Sequence, residues 1–137
     1  MKKRQLLPQN NRLLTEVELE FMAIIWRLGS ATVKDVMAHL SEDRNLAYTT
    51  AATVMKILDQ KGYLKCQKDS FAHTFMPIIS KEEYEQSFLE HTLTHVFDGE
   101  PVALVQRLLG TTRINKEEIQ QIEEVLKKLS SSRGKRK

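Results

Sequence analysis

The 137 residues carry 21 Lys and Arg against 18 Asp and Glu, with 41% hydrophobic and 28% charged side chains, a globular composition that excludes a disordered tail protein. The longest apolar run, Phe21 to Trp26, is far short of the roughly 20 residues a bilayer span needs, and the single cysteine, Cys66, excludes a disulfide framework or a thiolate metal cluster. The basic start Met1-Lys2-Lys3-Arg4 lacks the apolar stretch of an export signal, so a cytoplasmic location without a membrane partner is expected.

Charge is unevenly placed. Lys2, Lys3, Arg4, Arg133, Lys135, Arg136 and Lys137 form two basic ends, leaving residues 5–132 with 14 basic and 18 acidic side chains. Within that acidic body, Arg44 to Lys68 holds Arg44, Lys56, Lys61, Lys65 and Lys68 against Asp59 alone, a candidate surface for a polyanion.

In chain order, residues 1–12 read as a basic tail. Thr15-x-x-Glu18 is a capping box that opens a first helix to about Leu28, with Leu19, Met22, Ile25 and Trp26 on its inner face and Gly29 at its end. Thr32-x-x-Asp35 opens a short second helix whose Val33, Val36, Met37 and Leu40 recur at helical spacing. A polar loop, Ser41 to Asn45, leads to a third helix from about Ala47 to Lys61, stopped by Gly62.

From Tyr63 the period becomes two. Leu64 and Cys66, then Ala72, Thr74 and Met76, alternate around Lys68-Asp69-Ser70, which predicts a β-hairpin closed by Pro77. Ser80-x-x-Glu83 caps a fourth helix to about Phe97; Asp98-Gly99 breaks it, and Pro101 starts a fifth that Gly110 is expected to end. Asn115-x-x-Glu118 opens a last helix with a narrow apolar stripe, Ile119, Ile122, Leu126 and Leu129, of the kind that seals a coiled coil. Ser130 to Lys137 reads as a basic, frayed tail.

Three helices and a hairpin within residues 13–78 predict a mainly α fold with a small β wing: a winged helix-turn-helix, followed at 79–129 by a helical region too small to bury a core alone. On the third helix Ala51, Val54, Met55 and Leu58 face one way, while Thr49, Thr53, Lys56 and Gln60 share the opposite arc. A polar, nearly uncharged outer face suits a major groove. Threonine can bond base edges or touch a thymine methyl, and Lys56 can neutralise a phosphate. Lys65, Lys68 and His73 on the hairpin extend the cationic surface, and His73 is placed to approach a phosphate.

Thr15-Glu16-x-Glu18 leading into Met22-Ala23-Ile24-Ile25-Trp26, then Ala47-Tyr48-Thr49-Thr50-x-x-Thr53 through Leu58 and Lys61-Gly62-Tyr63-Leu64, resembles the penicillinase repressor (BlaI/MecI/CopY) family of bacterial transcription factors. The likeness continues through Ser80-x-Glu82-Glu83-Tyr84, Phe97-Asp98-Gly99 and Leu104-Val105, over about residues 13–129. It implies a homodimeric repressor whose winged helices occupy a palindromic double-stranded DNA operator at antibiotic-resistance or metal-homeostasis promoters. By position, Tyr48, Thr49, Thr50 and Thr53 are the implied base-reading residues, and Lys56 and Lys68 the phosphate contacts. The dimer would be held by C-terminal helices, for which Leu104, Leu108, Ile119, Ile122, Leu126 and Leu129 are the candidates.

Three departures bear on specificity and induction. Ala52 stands where some members have an arginine, so one guanidinium-to-guanine contact of theirs is absent here. The cysteine cluster of the copper-responsive branch is missing. The Asn-Phe pair that is cut when a sensor-linked protease ends repression in the β-lactam branch aligns with Arg107-Leu108.

Other motifs favour plain structural roles. His91 and His95 have a metal-compatible i, i+4 spacing but no third ligand nearby in sequence, so no metal is expected. Cys66 reads as a strand residue and Trp26 as core. No phosphate loop, nucleophile elbow or HExxH motif is present, so neither an enzyme nor a cofactor is expected. Two other functions stay open at this point: a winged-helix module that docks a protein, and a metal-responsive regulator using the histidine pair.

Overall fold

The computed structural model describes residues 13–69 and 71–136, the last four as backbone only. The basic segment 1–12, Ser70 and Lys137 lie outside the described residues. The order is α1 (Glu16–Leu28), α2 (Val33–His39), α3 (Tyr48–Gln60), β1 (Leu64–Lys68), β2 (His73–Pro77), α4 (Lys81–His95), α5 (Pro101–Thr111) and α6 (Lys116–Arg136). Two compact units divide the chain, Met1–Thr92 and Leu93–Lys137.

In the first unit, local hydrogen bonding sets the helix starts. Thr15 and Glu18 exchange capping bonds at α1, as do Thr32 and Asp35 at α2, satisfying backbone N–H groups that a helix start leaves unpaired. Gly29 ends α1 at φ 90°, a left-handed conformation that a side chain at this position would strain. The core joins Phe21, Met22 and Ile25 of α1, Val36 of α2, and Ala51, Met55 and Leu58 of α3 to Tyr63, Leu64 and Phe75 of the hairpin region. Leu19, expected on the inner face of α1, is instead 38% exposed. The buried arc is centred on Glu18, Phe21, Met22 and Ile25, because the Glu18 carboxylate is itself enclosed, and this turns Leu19 to the rim.

The hairpin pairs antiparallel, with Leu64 opposite Pro77, Cys66 opposite Phe75 and Lys68 opposite His73. Alternation across a strand therefore puts Phe75, not the Thr74 and Met76 series, on the face shared with Leu64 and Cys66. Phe75 also makes an isolated bridge to Ala31, donating its N–H to the Ala31 carbonyl at 2.8 Å and accepting the Ala31 N–H at 3.0 Å. This isolated bridge fixes the hairpin to the α1–α2 connection.

The first unit runs to Thr92, and α4 contributes Tyr84 to its core. Tyr84 accepts the Leu14 N–H at 3.0 Å on its hydroxyl oxygen, and the Trp26 indole N–H donates to the Ile79 carbonyl at 2.8 Å. The rings of Trp26, Tyr63 and Phe88 surround Tyr84 at centroid separations of 5.9, 6.1 and 6.1 Å.

In the second unit, α4 ends at His95, earlier than the expected Phe97, and Asp98 and Gly99 turn the chain at φ 52° and 76°. Gly110 lies within α5 rather than ending it; the helix closes at Thr111, with the Thr112 N–H donating to the Leu108 carbonyl. A glycine weakens a helix by only about 1 kcal/mol, so one more turn residue is tolerated. The α6 backbone stays helical to Arg136 through the segment read as frayed, serine being a mild rather than a strong helix breaker.

Candidate nucleic-acid interface

The third helix of the first unit sets the geometry. Ala51, Met55 and Leu58 are wholly buried, which fixes the rotation of α3 about its axis and turns Thr49, Thr53, Lys56 and Gln60 outward. Thr50 is exposed on one flank, and Tyr48 keeps 50% of its surface on the other. The Thr53 hydroxyl donates to the Thr49 carbonyl at 2.9 Å. Its proton is thus committed to the helix, while its oxygen lone pairs and methyl stay available outward.

Between α3, the start of α2 and the hairpin lies a groove of about 700 Å³. Tyr48, Ala52 and Lys56 form its α3 wall, Lys34 stands at the α2 side, and Lys68 and His73 at the hairpin side. Asp59 and the half-buried Cys66 also line it. The structure therefore divides the predicted residues. Tyr48, Lys56, Lys68 and His73 share the groove, whereas Thr49, Thr50 and Thr53 are not among its lining residues. Ala52 is partly covered by the core and adds a short, apolar stretch to this wall.

Lys34 was not among the residues singled out by sequence. It belongs to α2, and only the fold brings it to the groove that Lys56 lines from α3; a basic residue one position after a helix start is the sole signal in the sequence.

Two ion pairs hold the frame of this face. Lys61, just past α3, places Nζ 2.8 Å from both carboxylate oxygens of Glu18 on α1. Burial would raise the Glu18 carboxyl, but the hydrogen bond from Lys61 and the Thr15 N–H outweigh it and hold the group below its ordinary value. Burial also pushes the Tyr84 phenol up, reinforced by the nearby Glu18 charge and opposed by the Leu14 N–H. Arg44, in the loop before α3, donates from Nε to Glu20 at 2.9 Å, and Ser41 N–H joins it, lowering the Glu20 carboxyl chiefly through the Arg44 bond. The loop entering α3 and the turn leaving it are both anchored to α1.

In the second unit, Leu108, Ile119, Leu126 and Leu129 are 55%, 46%, 57% and 48% exposed, and Leu104 and Ile122 are half-buried. Among the described residues, no group of three or more His, Cys, Asp or Glu side chains is arranged to hold a metal ion. No helix among them is long and apolar enough to cross a membrane.

A three-helix core closed by a hairpin, with the third helix polar outward beside a cationic groove, defines a winged-helix DNA-binding transcription regulator. The chain belongs to the penicillinase repressor family, whose model matches residues 14–128. It is similar to the penicillinase repressor of Bacillus licheniformis, 25% identical over 113 residues that cover 82% of this chain and 88% of that protein. It is likewise similar to the transcriptional regulator BlaI of Mycobacterium tuberculosis, 29% identical over 126 residues, covering 90% and 89%. Among solved structures, the DNA-binding domain of the repressor BlaI in solution has 30% identity and a TM-score of 0.47, covering 61% of this chain and 94% of that one.

Proposed function

We propose that the protein is a homodimeric repressor that occupies a palindromic operator, with one α3 in each of two successive major grooves about 34 Å apart. The outward arc of α3, which includes Lys56, together with Lys34 and Lys68 of the adjoining groove, is the observation that carries this reading. Thr49, Thr50 and Thr53 read base edges, Tyr48 touches the groove wall, and Lys34, Lys56, Lys68 and His73 hold phosphates. The stripe of Ile119, Ile122, Leu126 and Leu129, with Leu104 and Leu108, seals the dimer, since so much apolar surface is left uncovered in the single chain. The regulated genes fall in the antibiotic-resistance or stress class, and the location is cytoplasmic.

The test compares two variants on the duplex upstream of the gene and on a scrambled duplex, by fluorescence anisotropy over a range of salt. Lys56→Ala weakens both complexes and lowers the log-log salt slope by about 1, whereas Thr53→Ala costs affinity mainly on the specific duplex. Equal losses on both duplexes for both variants would refute this division of roles. Absence of any salt-sensitive complex would favour a protein-docking module instead.

A further inference from the structure

The hairpin tip carries a large apolar residue that the core does not explain. Phe71 is 98% exposed, whereas Phe75, four residues on, is 7% exposed. It lies between Lys68 and His73, which pair across the hairpin, and the Asp69 N–H donates to the Ala72 carbonyl at 3.1 Å. Phe71 also lines the outer lip of the groove that Tyr48 and Lys56 line from the α3 side.

We propose that Phe71 is an apolar wedge for the minor groove that gives the protein a preference for the sequence flanking its main contacts. This rests on the DNA-binding reading above. With α3 in a major groove, the sugar-phosphate strand bordering it fills the space between Lys34, Lys56, Lys68 and His73. The far side of that strand is the adjacent minor groove, and the hairpin tip stands over it. A phenyl ring at the lip of a groove that Lys34, Lys56 and Lys68 line is suited to that place: the lysines neutralise the phosphates alongside, and the ring presses between base steps. Pyrimidine–purine steps unstack most readily, so they are the flanks this ring selects.

The ring contributes nothing to folding at 98% exposure, so Phe71→Ala keeps the thermal unfolding of the parent. Anisotropy titrations of the full chain use the upstream duplex and versions whose flanks carry either a pyrimidine–purine step or an A-tract, with 2-aminopurine placed at the flanking step. The parent prefers the flexible flank and brightens the 2-aminopurine. Phe71→Ala loses affinity by roughly tenfold, the scale of one aromatic contact returned to water. It also loses the flank preference and the brightening while its salt slope stays that of the parent; Phe71→Leu restores most of the affinity. A Phe71→Ala variant that matches the parent on every duplex overturns the wedge and leaves the DNA reading intact. A parent with no sequence-specific, salt-sensitive complex overturns both.

Discussion

Glu18 shows how one side chain serves two structures. Its carboxylate accepts the Thr15 N–H at the start of α1 and both bonds from Lys61 Nζ at the end of α3, forty-three residues on. The capping role is legible in the spacing Thr15-x-x-Glu18. The ion pair is not, because separation in sequence hides a contact that the fold alone creates. Removing Lys61 leaves a carboxylate largely enclosed without its counter-charge. Fully buried pairs lose roughly 3–5 kcal/mol in this way; Lys61 keeps 20% of its side-chain surface, so Lys61→Ala is expected to cost about 2 kcal/mol, read from urea unfolding. The pH dependence follows from the lowered Glu18 pKa. A carboxyl that ionises more readily when folded adds stability above its ordinary value of 4.5, and that gain drains as pH falls through the lower folded value. Glu18→Gln should therefore flatten the fall in melting temperature on the acid side; an unchanged profile would place the acid sensitivity in other groups.

The elements were legible where local spacing fixes them and obscure where a distant partner chooses. Four helix starts carry their own caps, at Thr15, Thr32, Ser80 and Asn115, and all four exchange the expected bonds with the acid three residues on. The phase of β2 was not legible: Ala72, Thr74 and Met76 alternate as convincingly as His73 and Phe75, and the choice is made by the Ala31 bridge and the pairing with Cys66. The rotation of α3 was legible because three core residues and a polar arc agree, whereas the groove beside it needed the hairpin and α2 in place. Phe75 ties these elements together. Phe75→Ala would leave a cavity at the root of the wing and cost about 3 kcal/mol by chemical denaturation. Its DNA affinity, measured at a temperature where the variant is still folded, should fall with it, since Lys68 and His73 lose their support. Full retention of affinity would mean that the wing contributes little to binding.

At the scale of the whole molecule, net charge is a poor guide. The full chain is +3 but residues 5–132 are acidic overall, so within that body it is the local grouping of Lys34, Lys56 and Lys68 that would attract a polyanion. A single winged unit offers few phosphate contacts; in the dimer proposed above, pairing two units through the exposed apolar stripe of α6 would supply the affinity that one lacks. Leu126→Asp, on that stripe and 57% exposed in the single chain, should leave helix content intact while shifting sedimentation to a lone subunit and abolishing operator binding at concentrations where the parent is saturated. An unchanged dimer would move the seam elsewhere on the second unit. The most direct measurement is a hydroxyl-radical footprint of the purified protein on the duplex upstream of its gene. Two protected stretches one helical turn apart, related by a dyad, are the predicted result; uniform protection without sequence preference, or one isolated patch under a dimer, would contradict it.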